Sequence, residues 1–159
     1  MNRLSFNRVH RVAAQYGPEL VTNGNMEAGN PPDSWESSDG SPVLTRAVDD
    51  AGGGTYCLNV AIAVGQTTGT ILQHLTLEVG ATYLFQAWAK LIDASYFNFY
   101  LFTNAWGELV NMGNYTATTW TCYTKIFTVN AAAGFFYITF GGSAGKIGRL
   151  DNISVRKIL

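Results

Sequence analysis

Apolar and polar positions alternate with a period of two along most of the chain, and they do so most densely over residues 80–102. From Ala81 to Leu91 one parity carries Ala81, Tyr83, Phe85, Ala87, Ala89 and Leu91, and the other carries Thr82, Leu84, Gln86, Trp88 and Lys90. A wholly apolar face opposite a mixed one predicts a strand with one face in a core. The pattern repeats with Phe97, Phe99 and Leu101 against Tyr96, Asn98, Tyr100 and Phe102, and Asp93, Ala94 and Ser95 between the runs read as a turn. The two runs are therefore expected to form a hairpin whose mixed face sets Gln86, Trp88 and Lys90 beside Asn98 and Tyr100.

Before this hairpin the chain offers Leu20–Thr22, a loop through Pro31, Pro32 and Asp33, and strands over 43–48, 56–64 and 70–79, the last with an alternation imperfect enough to suggest a bulge. After it come 108–112, a turn at 111–114, a long strand over 118–129, a strand at 135–140 and a closing strand at 149–158. In the 135–140 run Tyr137 shares a parity with Phe135 and Thr139, which makes it a further candidate for the polar face. Nine or ten short strands, turn signals every 8–12 residues and no convincing helix predict an all-β, two-sheet jelly-roll sandwich over residues 18–159. Residues 1–17 stand apart as an N-terminal arm closed by Gly17 and Pro18.

Composition agrees with this picture. At 159 residues one domain suffices, and 13% charged residues, 13% aromatics and 17 glycines fit a turn-rich β protein. The net charge of −1 argues against nucleic acid as a partner. The charge is unevenly placed: Arg3, Arg8 and Arg11 lie in the arm without an acid, which leaves seven of the ten basic residues against eleven acids elsewhere. Such an arm suits an acidic patch on a neighbouring subunit, or simple solvation of a tail. No run approaches the ~20 apolar residues of a membrane span, and the start is broken by arginine and histidine before a secretory core of ~7–15 apolar residues forms. Cys57 and Cys122 both fall in apolar strand candidates and read as unpaired buried thiols.

Flat rings flanked by amides suit a ligand that is polar on its edge and apolar on a face, such as a sugar ring, although a second core layer or a protein contact accounts for the same face. Catalytic chemistry is sparse. His10 and His74 have no partner at metal-ligand spacing, adjacent Asp49 and Asp50 point to opposite sides of an extended chain, and the glycine runs lack the lysine and helix start of a phosphate loop. A non-enzymatic protein is expected.

The opening ELVTNGNMEAG, the middle VGATYLFQAWAK, the W-x-x-Y of Trp120 to Tyr123 and the closing LDNISV together resemble the carbohydrate-binding modules of families four, nine and twenty-two, which are galactose-binding-like jelly rolls. The opening also resembles domains of bacteriophage structural proteins. The resemblance implies a concave sheet that contacts sugars, with Gln86 and Trp88 from the W-A-K strand and Asn98, Tyr100 and Tyr137 from its neighbours. It implies a structural calcium ion between the opening segment and the final strand, held by Glu27 and Asp151 with Asp50 as a third ligand. Met26 stands where the family usually has an aromatic residue.

Two functions follow as expectations. One is a virion-associated structural protein, such as a capsid decoration, head fibre or tail accessory, that displays the jelly roll toward a cell-surface glycan. It would form homo-oligomers and reach capsid or other virion proteins through Arg3, Phe6, Arg8 and Arg11. The other is an extracellular glycan-binding module outside any virion, although no leader or attached catalytic domain is visible in this sequence.

Overall fold

The computed structural model describes residues 14–49, 51, 53–105, 107–132 and 134–159. These residues form eleven strands: β1 (Tyr16–Glu19), β2 (Glu36–Ser37), β3 (Val43–Val48), β4 (Tyr56–Ala61), β5 (Thr68–His74), β6 (Thr82–Leu91), β7 (Tyr96–Phe102), β8 (Glu108–Tyr115), β9 (Thr121–Thr128), β10 (Phe135–Gly141) and β11 (Ile147–Ile158). All pairings are antiparallel. The first sheet runs β3-β4-β11-β6-β9, with β1 also paired to β11, and the second runs β2-β5-β10-β7-β8. Two antiparallel sheets face to face are the expected jelly-roll sandwich, and among the described residues there is no helix.

The core lies between the sheets, and phenylalanines are its largest fully buried side chains. Phe85 of β6 in the first sheet meets Phe99 of β7 and Phe136 of β10 in the second, with ring centroids 5.1 and 5.2 Å apart. Phe97, Phe99, Phe136 and Phe140 are fully buried. Tilted and edge-on contacts of this kind add to the plain burial of large apolar area. Met26, where the resemblance leads one to expect an aromatic residue, is also fully buried in this core.

The hairpin expected over 82–102 does not form, because β6 and β7 belong to different sheets. Two strands with one apolar face each can pair edge to edge or face each other across a core, and parity alone does not distinguish the two. The connection decides it. The N–H groups of Ile92, Asp93 and Ala94 all donate to the Ile147 carbonyl, that of Ser95 donates to Gly141, and Asp93 accepts from Ile147 N–H at 2.6 Å. The chain is thereby carried over the rim from one layer to the other.

Other boundaries also move. Tyr16 and Gly17, read as arm, are the first half of β1 and pair beside β11. The strand expected over 70–79 stops at His74 without a register shift in its pairing to β10. The turn expected at 111–114 is the far half of β8, whose pairing with β7 is bulged instead. A further irregularity is on β11, where the register against β6 shifts by one residue between Asp151 and Ser154 and Asn152 adopts φ +46°.

Candidate functional site

The five residues read as one sugar-contacting face fall on two. Gln86 and Trp88 point outward from the first sheet, whereas Asn98, Tyr100 and Tyr137 point outward from the second. The sandwich lies between them.

On the second sheet β10 is a central strand whose two faces are both apolar. Phe136, Ile138 and Phe140 enter the main core, while Phe135 and Tyr137 build a separate outer cluster with Leu72, Tyr100 and Phe102. Register places Tyr137 opposite Tyr100 on one side and Leu72 on the other, and places Phe135 opposite Phe102 and His74. Phe102 lies edge-on to Tyr137 at 5.3 Å and stacked on Phe135 at 5.8 Å, and His74 meets Phe135 edge-on at 5.9 Å. Tyr100, Phe102 and Asn98 are half-buried, so part of each remains open.

Polar groups frame these rings. The Tyr137 hydroxyl donates to Asp39 at 2.6 Å, and burial together with that carboxylate pushes its pKa up to about 12, so it is a fixed donor. Thr70 and Thr139 pair their hydroxyls at 3.3 Å. With its carboxamide turned so that oxygen and nitrogen exchange places, the orientation its neighbours require, Asn98 accepts from the Tyr100 hydroxyl at 3.0 Å and donates to the Gly113 carbonyl at 3.2 Å. Phe102, Phe135 and Leu72 were not singled out in the sequence, although the parity of Phe102 with Tyr100 and of Phe135 with Tyr137 carried that signal.

On the first sheet the segment after β1 lies along β11 at its bulge. Leu20 N–H donates to the Val155 carbonyl, and Ile153 N–H donates to the Gly24 carbonyl at 2.9 Å. Glu19 ties the same place together: its carboxylate accepts from Leu20, Val21 and Val155 N–H, from the Ser154 hydroxyl and from Arg156 Nε. Burial opposes the charge of Glu19, but these donors outweigh it and hold the carboxyl below its usual range. Between this junction and the outward side chains of β6 lies a groove of about 440 Å3, whose lining includes Glu19, Asn25, Gln86, Trp88, Cys122 and Asn152. Cys122 is thus exposed, contrary to the expectation of two buried thiols; Cys57 is buried, and both are free.

One row further along, Asp49 binds three partners at once. It pairs with Lys90 at 2.6 Å and with Arg149, and it accepts from the Trp120 indole at 3.1 Å. Burial works against its charge, yet Lys90, Trp120 and Arg149 together keep its carboxyl below the usual carboxylate range. A general acid or base needs a free, poised carboxyl, so this one is ill suited to catalysis.

Glu27 and Asp151 reach the loop after β3 from opposite ends of the fold. Glu27 Oε1 accepts from Thr55 and Tyr56 N–H at 2.7 and 2.9 Å. Asp151, only 1% exposed, accepts from Ala51 N–H at 3.0 Å and Asn152 N–H at 2.7 Å. Among the described residues Arg149 pairs with Asp49 and Lys146 with Asp93. Among the described residues no group of three or more His, Cys, Asp or Glu is placed to hold a metal ion. Calcium takes six to eight oxygens, so loop carbonyls, water and Asp50 would have to complete the shell. Asp50 lies outside the described residues, as do Arg3, Phe6, Arg8 and Arg11 of the arm.

No curated protein sequence matches the chain. Solved structures share its fold at low identity. The enzymatically active domain of tailspike protein 4 from bacteriophage CBA120 matches with TM-score 0.68 and 16% identity over 88% of this chain, which spans only 21% of that one. A family 16 carbohydrate-binding module matches with TM-score 0.67 and 23% identity over 86% of this chain and 98% of its own. The CBM22-1 xylan-binding domain of Xyn10C from Paenibacillus barcinonensis matches with TM-score 0.63 and 14% identity over 92% and 98%. The sequence model of a carbohydrate-binding domain family fits residues 18–144, most of the chain. The chain belongs to that carbohydrate-binding domain family.

Proposed function

We propose that the protein is a non-enzymatic glycan-binding module that takes its ligand on the outer face of the second sheet. The carrying observation is the aromatic cluster of Tyr100, Phe102, Phe135 and Tyr137 on the outside of a sheet whose inside already forms the core. Folding needs only one apolar face per sheet, so a second one of rings framed by Asn98, Asp39 and threonines serves a ligand with an apolar side and a hydroxylated rim. The half-buried rings of Tyr100 and Phe102 are the stacking surface, the buried ring of Tyr137 supports them from behind, and Asn98 at the rim fixes orientation. The family and the xylan-binding relative favour a polysaccharide of neutral sugars.

Titration calorimetry against xylan and β-1,4-galactan oligosaccharides tests this. One stacked ring contributes ~0.5–1.5 kcal/mol, so Tyr100→Ala is expected to weaken binding about two- to twelvefold, and Asn98→Ala less. Unchanged affinity in Tyr100→Ala, with the fold intact, would remove the face from the function.

Display on a virion is the second reading, and the acid-free arm with Arg3, Arg8 and Arg11 favours it. In that setting the arm and Phe6 contact capsid or other virion proteins, and several copies associate. Elsewhere the module would act outside the cell. The tailspike likeness supplies fold precedent only. Light scattering of the full chain and of one lacking residues 1–13 tests it: one mass for both argues against the arm as an assembly element. A structural calcium ion held by Glu27, Asp151 and Asp50 belongs to the glycan-binding-module reading, supported by the meeting of the first two at one loop from opposite chain ends. Calcium is then expected to raise the melting temperature, and Asp151→Asn to abolish the rise.

A further inference from the structure

The groove on the first sheet lies on the opposite side of the sandwich from the aromatic face. We infer that it is a second carbohydrate site, which takes one or two neutral sugar residues. The ligand class rests on the glycan-binding reading above, whereas the location does not.

Its volume, about 440 Å3, is that of a small-molecule site. Trp88 is half-buried beside it, with its indole available as a stacking surface for the apolar face of a pyranose. Three lining amides, Asn25, Gln86 and Asn152, make no side-chain hydrogen bond among the described residues. Each carboxamide offers two donors and an acceptor, the combination that vicinal hydroxyls require. These amides contrast with Asn23, whose side chain is spent on Ala28 and the Asp33 carbonyl.

Charge and length narrow the ligand further. Within the groove lining Glu19 is matched by Arg156 and three N–H donors, whereas Asp49 is shared by Lys90 and Arg149, a cluster with one positive charge in excess that lies outside the lining. Inside the groove an anionic or cationic sugar would meet no free opposite charge. Arg156 stands in register with Leu84 and Arg149 with Lys90, so the two clamps bracket β6 at positions six residues apart, roughly 20 Å. Only Gln86 and Trp88 face outward between them, which leaves space for a short ligand rather than a long chain. The hollow is also rigid: a side chain at Gly24 would meet the Ile153 carbonyl at 2.0 Å, so opening segment and bulge touch backbone to backbone.

The test is a nitrogen-15 NMR titration of the full chain with xylobiose and with β-1,4-galactobiose to tens of millimolar. The Trp88 indole N–H and the Gln86 and Asn152 amide signals are expected to shift in the wild type and in Tyr100→Ala. The shifts are expected to vanish in Trp88→Ala and to need at least tenfold more sugar in Gln86→Ala, an exposed position that covers a folding failure at Trp88. Shifts confined to the second sheet would overturn the inference and leave the first glycan reading standing. Groove shifts that survive Tyr100→Ala, with no second-sheet signal moving, would establish the groove and overturn the other face. No shift anywhere would overturn both.

Discussion

Single side chains set how this sandwich responds to pH and to reagents. Asp49 and Glu19 both have folded-state pKa values below their ordinary ones, despite burial, because cationic and N–H donors surround them. A depressed carboxyl stabilises the fold fully above its unfolded value, ~3.9–4.3, and loses that contribution as pH falls through the folded value. Asp49→Asn is therefore expected to lower the melting temperature at pH 7 and to leave the most acidic part of the pH profile unchanged. Solvent reaches this cluster, which keeps the expected loss near ~1 kcal/mol. Equal melting curves at pH 7 would mean that Lys90 and Arg149 find other partners. The cysteines give a second check. Burial pushes the Cys57 thiol up to about 12, whereas Cys122 is exposed in the groove. A thiol-specific disulfide reagent is expected to modify one thiol per folded chain and two in denaturant, with bound sugar protecting the first. Two fast thiols in the folded protein would contradict the burial of Cys57.

At the scale of elements, the strands were legible where parity was clean, and their partners were not. The β6 pattern placed Phe85, Ala87 and Ala89 inward and Gln86 and Trp88 outward as observed, because side-chain direction follows from period two alone. Which strand lies beside β6 is decided by the Ile92–Ser95 crossing and its bonds to Ile147 and Gly141, far away in sequence. For the same reason parity gave the outward direction of Gln86, Trp88, Asn98, Tyr100 and Tyr137 but assigned them to one face instead of two. The arm boundary failed for a different cause. Tyr16–Glu19 holds glycine and proline and little apolar pattern, and it is a strand only because β11 offers an edge. Beside it Gln15 accepts from Leu159 N–H, and Glu19 pins Val155 and Arg156. Deleting residues 1–13 is therefore expected to leave the melting temperature within a degree or two, while deleting 1–17 exposes the β11 edge and lowers it by several degrees. Gly24→Ala acts on the same junction. Its new methyl would overlap the Ile153 carbonyl, with an expected cost of ~1–3 kcal/mol. Equal stability of the two truncations would show that β1 contributes nothing to the sheet.

For the molecule as a whole, the separation of the two faces matters more than either alone. The sheets of a sandwich lie ~10 Å apart, so the aromatic face and the groove look in opposite directions with the phenylalanine core between them. One short oligosaccharide cannot touch both, and avidity requires simultaneous engagement. A single chain with two opposed weak sites would instead bridge separate polysaccharide strands. Wild-type protein is accordingly expected to raise the viscosity or turbidity of a xylan or galactan solution. Tyr100→Ala and Trp88→Ala should each abolish that effect while retaining binding through the remaining site. If either variant cross-links as well as the wild type, the bridging comes from association between protein chains, and the arm is then the element to remove next.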